Sequence, residues 1–204
     1  MNYRKITEKV ANNLTLSQIY GFYVLAMKSD YNTLVSYINQ DTLASLVDVS
    51  ESTIKRWIKA YEESGLLSKQ TDNIKKSDGK WIKKNTYQLN DENYKLISDG
   101  LLSLDCSTEM KGFLILLKCR CYNCSNNCKY TIQELADTTA ISKSTVGRYL
   151  KQAEELGYIK RDKNGITLLD AETFIPHTES EYYAALKTYP EILTDEDIAE
   201  HKIH

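Results

Sequence analysis

The chain has 204 residues, 42% of them apolar, and a formal net charge of −2. That balance excludes a uniformly basic nucleic-acid coat and a chain too polar to bury a core. The charge is segregated, however: residues 171–204 carry −6, which leaves +4 on residues 1–170 and a surface able to steer a polyanion.

In chain order, residues 1–13 read as a polar lead-in. Leu14 to Lys28 predicts a helix with Ile19, Phe22, Tyr23 and Ala26 on one face, and Thr33 to Ile38 a short strand. Leu43 to Leu67 reads as a short helix, a tight turn, a second helix and the start of a strand. Ser50 is a good N-cap, because its hydroxyl can accept from an unpaired N–H of the next turn. Ile54, Trp57, Ile58 and Tyr61 recur at the spacing of a buried stripe, while Ser52, Lys55, Arg56 and Lys59 share the outer face. Gly65 stops the helix, and Leu43, Val47 and Val49 form the wedge between the two helices.

Leu66–Lys69 and Trp81–Leu89 then predict a hairpin around the turn dipeptide Asp78-Gly79. It carries Lys69, Lys75, Lys76, Lys80, Lys83 and Lys84 against Asp72 and Asp78; Trp81 could reach DNA, but is expected rather to anchor the hairpin to the core. Residues 90–107 read as a connector with a helical turn near Tyr94–Ile97. Glu109 to Cys119 predicts a helix in which Gly112-Phe113 matches Gly21-Phe22 at a shift of 91. Leu135 to Ile159 repeats Leu43 to Leu67 at a shift of 92 without a gap. Ser50, Ser52, Thr53, Arg56, Lys59 and Gly65 fall on Ser142, Ser144, Thr145, Arg148, Lys151 and Gly157, and the apolar stripe becomes Val146, Tyr149, Leu150 and Ala153. Tyr158–Arg161 and Gly165–Leu169 flank Asp162-Lys163-Asn164-Gly165, a second and shorter hairpin. Beyond Ala171 lies an acidic tail with a helix expected around Glu179–Lys187.

The cap, wedge, basic outer face, stop signal and hairpin, present twice, resemble the tandem winged helix-turn-helix DNA-binding proteins of bacteria, their plasmids and phages. The resemblance covers about residues 14–89 and 109–169. It implies a mainly α fold with small β wings (α+β). The first domain with its connector would occupy residues 1–100, the second residues 101–170, and the tail residues 171–204. It also implies a groove-facing set of Ser50, Glu51, Ser52, Lys55, Arg56 and Lys59, and of Ser142, Lys143, Ser144, Gly147, Arg148 and Lys151. Arginine can bind guanine O6 and N7 with two hydrogen bonds at once. Lys75, Lys76 and Lys80 of the first wing, and Lys163 of the second, would lie along phosphates. The alternative is an ordinary solvated face, since Lys59–Glu63 and Lys151–Glu155 are i, i+4 pairs.

Cys119, Cys121, Cys124 and Cys128 could hold a structural Zn²⁺. The tight spacing and a first repeat that has no cysteine in this region favour free thiols, so neither metal nor cofactor is expected. The only histidines, His177, His201 and His204, lie in the tail, and no Gly-rich phosphate loop or nucleophile–base pairing appears, so an enzyme is not expected. The polar N-terminus lacks the apolar core of a signal peptide, and the apolar runs at Tyr20–Met27 and Phe113–Leu117 are too short to span a bilayer. With an odd count of five cysteines, these features predict a cytoplasmic protein without membrane attachment. The expected partner is double-stranded DNA, with a homodimer possible and no small-molecule ligand evident. Transcriptional regulation is the first expectation. A plasmid or phage replication initiator acting on origin repeats is the alternative, and a tandem winged-helix protein-interaction module is the non-DNA rival.

Overall fold

The computed structural model of the chain describes residues 2–75, 79–122 and 125–176. It begins with a strand, β1 (Tyr3–Thr7), and a short helix, α1 (Val10–Asn13), where a polar lead-in was expected. The charged neighbours of Ile6 and Val10 hide two fully buried side chains. Next come α2 (Leu16–Met27), β2 (Val35–Ser36), α3 (Gln40–Leu46), α4 (Glu51–Glu63), β3 (Leu67–Lys75) and β4 (Trp81–Leu89). The same order then recurs as β5 (Tyr94–Ser98), α5 (Gly100–Ser103), α6 (Thr108–Cys119), β6 (Asn127–Cys128), α7 (Ile132–Asp137), α8 (Lys143–Glu155), β7 (Ile159–Asp162) and β8 (Gly165–Leu168). A last short strand, β9 (Phe174–Ile175), closes the described chain.

Several expectations are corrected. The mixed helix and sheet are consistent with the expected α+β class, but the chain is less helical than mainly α implies, because strands replace parts read as linker. The helical turn expected near Tyr94–Ile97 is β5, and the boundary placed at residue 100 falls inside α5. Residues assigned to the acidic tail include β9, where Phe174 is buried; the helix expected at Glu179–Lys187 lies outside the described residues. The helices α2 and α6, with N-caps Thr15 and Ser107, correspond at a shift of 92, not 91, so Gly112 is not the counterpart of Gly21. The one-residue change lies earlier, between β1–α1 and α2: Tyr3, Ile6 and Val10 still match Tyr94, Ile97 and Leu101 at a shift of 91. All but Tyr3 and Tyr94 of that set are fully buried.

Three small sheets frame the helices, ordered β1-β5-β9, β2-β4-β3 and β6-β8-β7. The first joins the two halves, since β5 pairs antiparallel with both β1 and β9. Against it α2 packs on α6, and buried residues of both halves merge into one hydrophobic core. Polar links reinforce the junction. The Tyr23 hydroxyl donates to the Ser98 carbonyl at 2.7 Å. Lys95 Nζ, nearly inaccessible, pairs with Glu8 at 2.9 Å. Arg120 at the end of α6 donates to Asn12 Oδ1 and to the Thr138 carbonyl, both at 2.9 Å. A buried ion pair orients the elements that hold it more than it stabilises them, because desolvation offsets the Coulomb attraction.

Lys118 is wholly buried, with Nζ donating to Asn126 Oδ1 at 2.7 Å. Burial, with a smaller contribution from the Lys95 charge, lowers its pKa to about 8. The unfolded chain then binds more protons than the folded one above pH 8, so Lys118 penalises folding fully below that pH. The penalty is relieved as pH rises towards the free lysine value. Relative to a Lys118→Met variant, the native chain is expected to gain on the order of 3 kcal/mol between pH 8 and 10.5. Paired urea titrations would show it, and parallel pH profiles for the two proteins would contradict it.

Candidate nucleic-acid interface

Each half presents a short helix, a tight turn and a 13-residue helix followed by a hairpin. Buried Leu43 and Val47 hold the turn of the first half, and buried Leu135 and Ile141 that of the second. Ser50 and Ser142 cap α4 and α8, accepting from the N–H of Thr53 and Thr145 at 3.2 and 3.3 Å. Each cap hydroxyl also meets Ser52 or Ser144, at 2.8 and 3.1 Å, so the same hydroxyl cluster heads both helices. This occupies Ser50 and Ser142 as caps, with Ser52 and Ser144 exposed beside them. Gly65 and Gly157, at φ 66° and 74°, end the helices in the left-handed conformation.

The inner faces lock the helices to the core. Ile54, Ile58 and Tyr61 are buried, as are Val146, Leu150 and Ala153. The Tyr61 hydroxyl donates to the Gln18 carbonyl at 2.6 Å, and the Tyr149 ring stacks on Phe113 at 5.3 Å. The outer faces are exposed, and the two halves charge them differently. In α4, Lys55 is held by Glu51 at 2.8 Å and Arg56 donates to Thr53 Oγ1 at 3.2 Å. In α8, Lys143 takes the place of Glu51 and Gly147 that of Lys55, so the first turns of the helix carry no carboxylate of their own, although Glu109 of α6 lines a small cleft with Ser142 and Arg148. Arg148 lies over the Tyr149 ring at 5.1 Å. Lys59 and Lys151 reach Glu63 and Glu155 at 3.6 and 3.7 Å, farther from the helix start. At these exposures such pairs contribute little and yield readily to a phosphate.

The hairpins differ more than the sequence suggests. β3 and β4 have nine residues each, and only their inner ends are buried. Cross-strand partners share a face. Thr71 with Asn85, Asn73 with Lys83 and Lys75 with Trp81 therefore line one face. It holds hydrogen-bonding and basic groups and, among the described residues, no carboxylate. Trp81 is 68% exposed, which corrects its expected role as an anchor to the core. On the opposite face Asp72 stands across from Lys84, which sits over the Tyr37 ring at 4.9 Å. Lys75 and Lys80 are exposed at the outer end, and Lys76 lies outside the described residues. The second hairpin has four-residue strands and a tight Lys163-Asn164 turn. There Lys163 shares an open cleft of about 590 Å³ with Lys129 and Tyr130, which no sequence pattern had singled out. The sequence names Lys83 and Trp81 as wing residues; the strand register adds that they share one face with Asn73 and Lys75.

The cysteines belong to the core rather than to this surface. Cys119, Cys121 and Cys128 are buried free thiols, and burial pushes them up to about 12, 12 and 11. No metal-holding group of His, Cys, Asp or Glu occurs among the described residues; Cys124 lies outside them. No described helix is long and apolar enough to cross a membrane.

A search of curated proteins finds no match to this chain. A family model for winged helix-turn-helix DNA-binding domains matches residues 125–160, which run from the approach to β6 through α7 and α8 into β7. This second half is thus similar to a winged helix-turn-helix domain, and the match supports a DNA-binding protein whose partner is double-stranded DNA.

Proposed function

We propose that the chain is a sequence-specific double-stranded DNA-binding protein that uses both of its helix-turn-helix halves, and that it regulates transcription. The observation that carries this reading is the coincidence of Ser50, Ser52, Thr53, Arg56 and Lys59 with Ser142, Ser144, Thr145, Arg148 and Lys151 on two capped, outward-facing helices. The first half has the same element order as the half that the family model matches, so it is read as a second winged helix-turn-helix domain. Ser52, Arg56 and Lys59, with Ser144, Arg148 and Lys151, contact bases and adjoining phosphates. Lys143 and Lys55 add to the respective helix starts, the latter once Glu51 releases it. Lys75, Lys80, Lys83 and Lys163 contact phosphates. The basic outer faces, and the face of the first wing that holds no carboxylate among the described residues, argue against a protein-interaction module.

The test is selection of duplexes from the host genome by the full chain, followed by sequencing. Enrichment of promoter segments is expected. Enrichment of iterated repeats at a replication origin would move the initiator role ahead, and no enrichment over input would overturn the DNA reading.

The first wing makes a separate prediction. In a Trp57→Phe background Trp81 is the sole tryptophan. Its emission is expected to change on saturation with duplex, because an exposed indole beside Lys75 would be brought against the sugar–phosphate backbone and lose water. Lys75→Ala and Lys83→Ala should each weaken binding uniformly across sequences and reduce the salt slope by about 0.9 per lost phosphate contact. Unchanged emission and unchanged slopes would remove the wing from the interface.

A further inference from the structure

The repeat and the strand register together fix how the two halves are related. Tyr3–Thr7 and Tyr94–Ser98 are the same stretch of the repeat, 91 residues apart. They pair antiparallel, with Tyr3 opposite Ser98, Lys5 opposite Leu96 and Thr7 opposite Tyr94. Lys5 and Leu96 are counterparts of each other. Tyr3 faces the counterpart of Thr7, and Thr7 faces the counterpart of Tyr3. This is the pairing of a strand with its own copy across a two-fold axis; repeats related by simple translation would run parallel. The helices report the same relation independently. Ser17 and Glu109 are counterparts at the helix shift of 92, and they touch, Ser17 Oγ donating to Glu109 Oε1 at 3.2 Å.

We infer that a local two-fold axis passes between Lys5 and Leu96 and beside Ser17 and Glu109, and that the DNA this chain recognises is therefore an imperfect inverted repeat, engaged by one chain. The inference rests on the reading that both halves bind DNA. A duplex has two-fold axes of its own, and a binder with a two-fold axis aligns with one of them, so its half-sites read in opposite directions. The start of α8 adjoins the protein axis: Ser142, Thr145 and Arg148 line one small cleft with Ser17 and Glu109. The half-sites share the bases read by the common residues. They differ where Glu51 is replaced by Lys143 and Lys55 by Gly147. The symmetry that other DNA binders obtain by dimerising is built here into a single chain, so a homodimer is not needed for one site.

The experiment is selection of the full chain on a random duplex library, followed by native mass measurement of the complex on the winning sequence. The expected result is two half-sites in inverted orientation with one chain bound. A variant carrying Lys143→Glu and Gly147→Lys makes α8 resemble α4, and there is open space at Gly147 for a side chain. It should select a more symmetric repeat by altering one half-site only. Half-sites in direct orientation, a single half-site, or two chains on each inverted repeat would overturn the two-fold inference while leaving DNA binding in place. Failure to enrich any duplex would overturn the DNA reading and this inference with it.

Discussion

Replacing Gly112 with alanine is expected to destabilise the chain by about 3 kcal/mol, because a Cβ there would meet its neighbours more closely than at any other glycine. A Cβ at Gly112 would lie 2.0 Å from the carbonyl oxygen of Leu16 and 2.7 Å from its carbon. Both are backbone atoms, so no change of rotamer relieves the clash, and α6 must move away from α2. That contact joins the halves, and moving it disturbs Phe113, Leu114 and Leu117 in the common core. Gly147→Ala is the matched control. It also adds one methyl to a helix, but nothing lies within 4 Å of the new atom. It should stabilise by about 0.5–1 kcal/mol through helix propensity alone. Urea midpoints at constant slope would report both changes. Equal midpoints for Gly112→Ala and the native chain would mean that α2 and α6 do not approach so closely.

Removing both outward arginines should abolish discrimination between the specific site and random duplex. Arg56→Ala or Arg148→Ala alone is expected to cost about 1–3 kcal/mol on the specific site and much less on random DNA, because a bidentate guanine contact carries the discrimination. The two losses should be of similar size, since each helix start has one carboxylate near it: Glu51 on α4 itself, and Glu109 across the small cleft from Ser142 and Arg148 of α8. Both arginines are exposed and neither is ion-paired among the described residues, so the folded state should tolerate both changes. Competition titrations at fixed salt separate the outcomes. Equal losses on specific and random DNA would reassign both arginines to phosphate contact.

The two helix-turn-helix stretches were legible because they obey local rules: a hydroxyl cap, a 3.6-residue stripe, a glycine stop. Their spatial relation was not. Tyr3–Thr7 and Tyr94–Ser98 look like linker because each strand buries its apolar residues among charges, as Ile6 does between Lys5 and Glu8. Their pairing partner is about ninety residues away, where no window of periodicity reaches. One signal was present: carrying the repeat backwards at a shift of 91 sets YRKITEKV on YKLISDGL. Trp81 was misread for a different reason. A large apolar side chain normally seeks the core, but its strand extends beyond the body of the protein, so only register and exposure reveal that it faces out.

Whether one chain contacts DNA through both arginines is tested most directly by hydroxyl-radical footprinting of the selected site. The native chain should protect two half-sites. Arg56→Ala should lose protection of one and Arg148→Ala of the other, each leaving its partner half-site covered. Loss of the same half-site in both variants, or an intact footprint in either, would contradict the account.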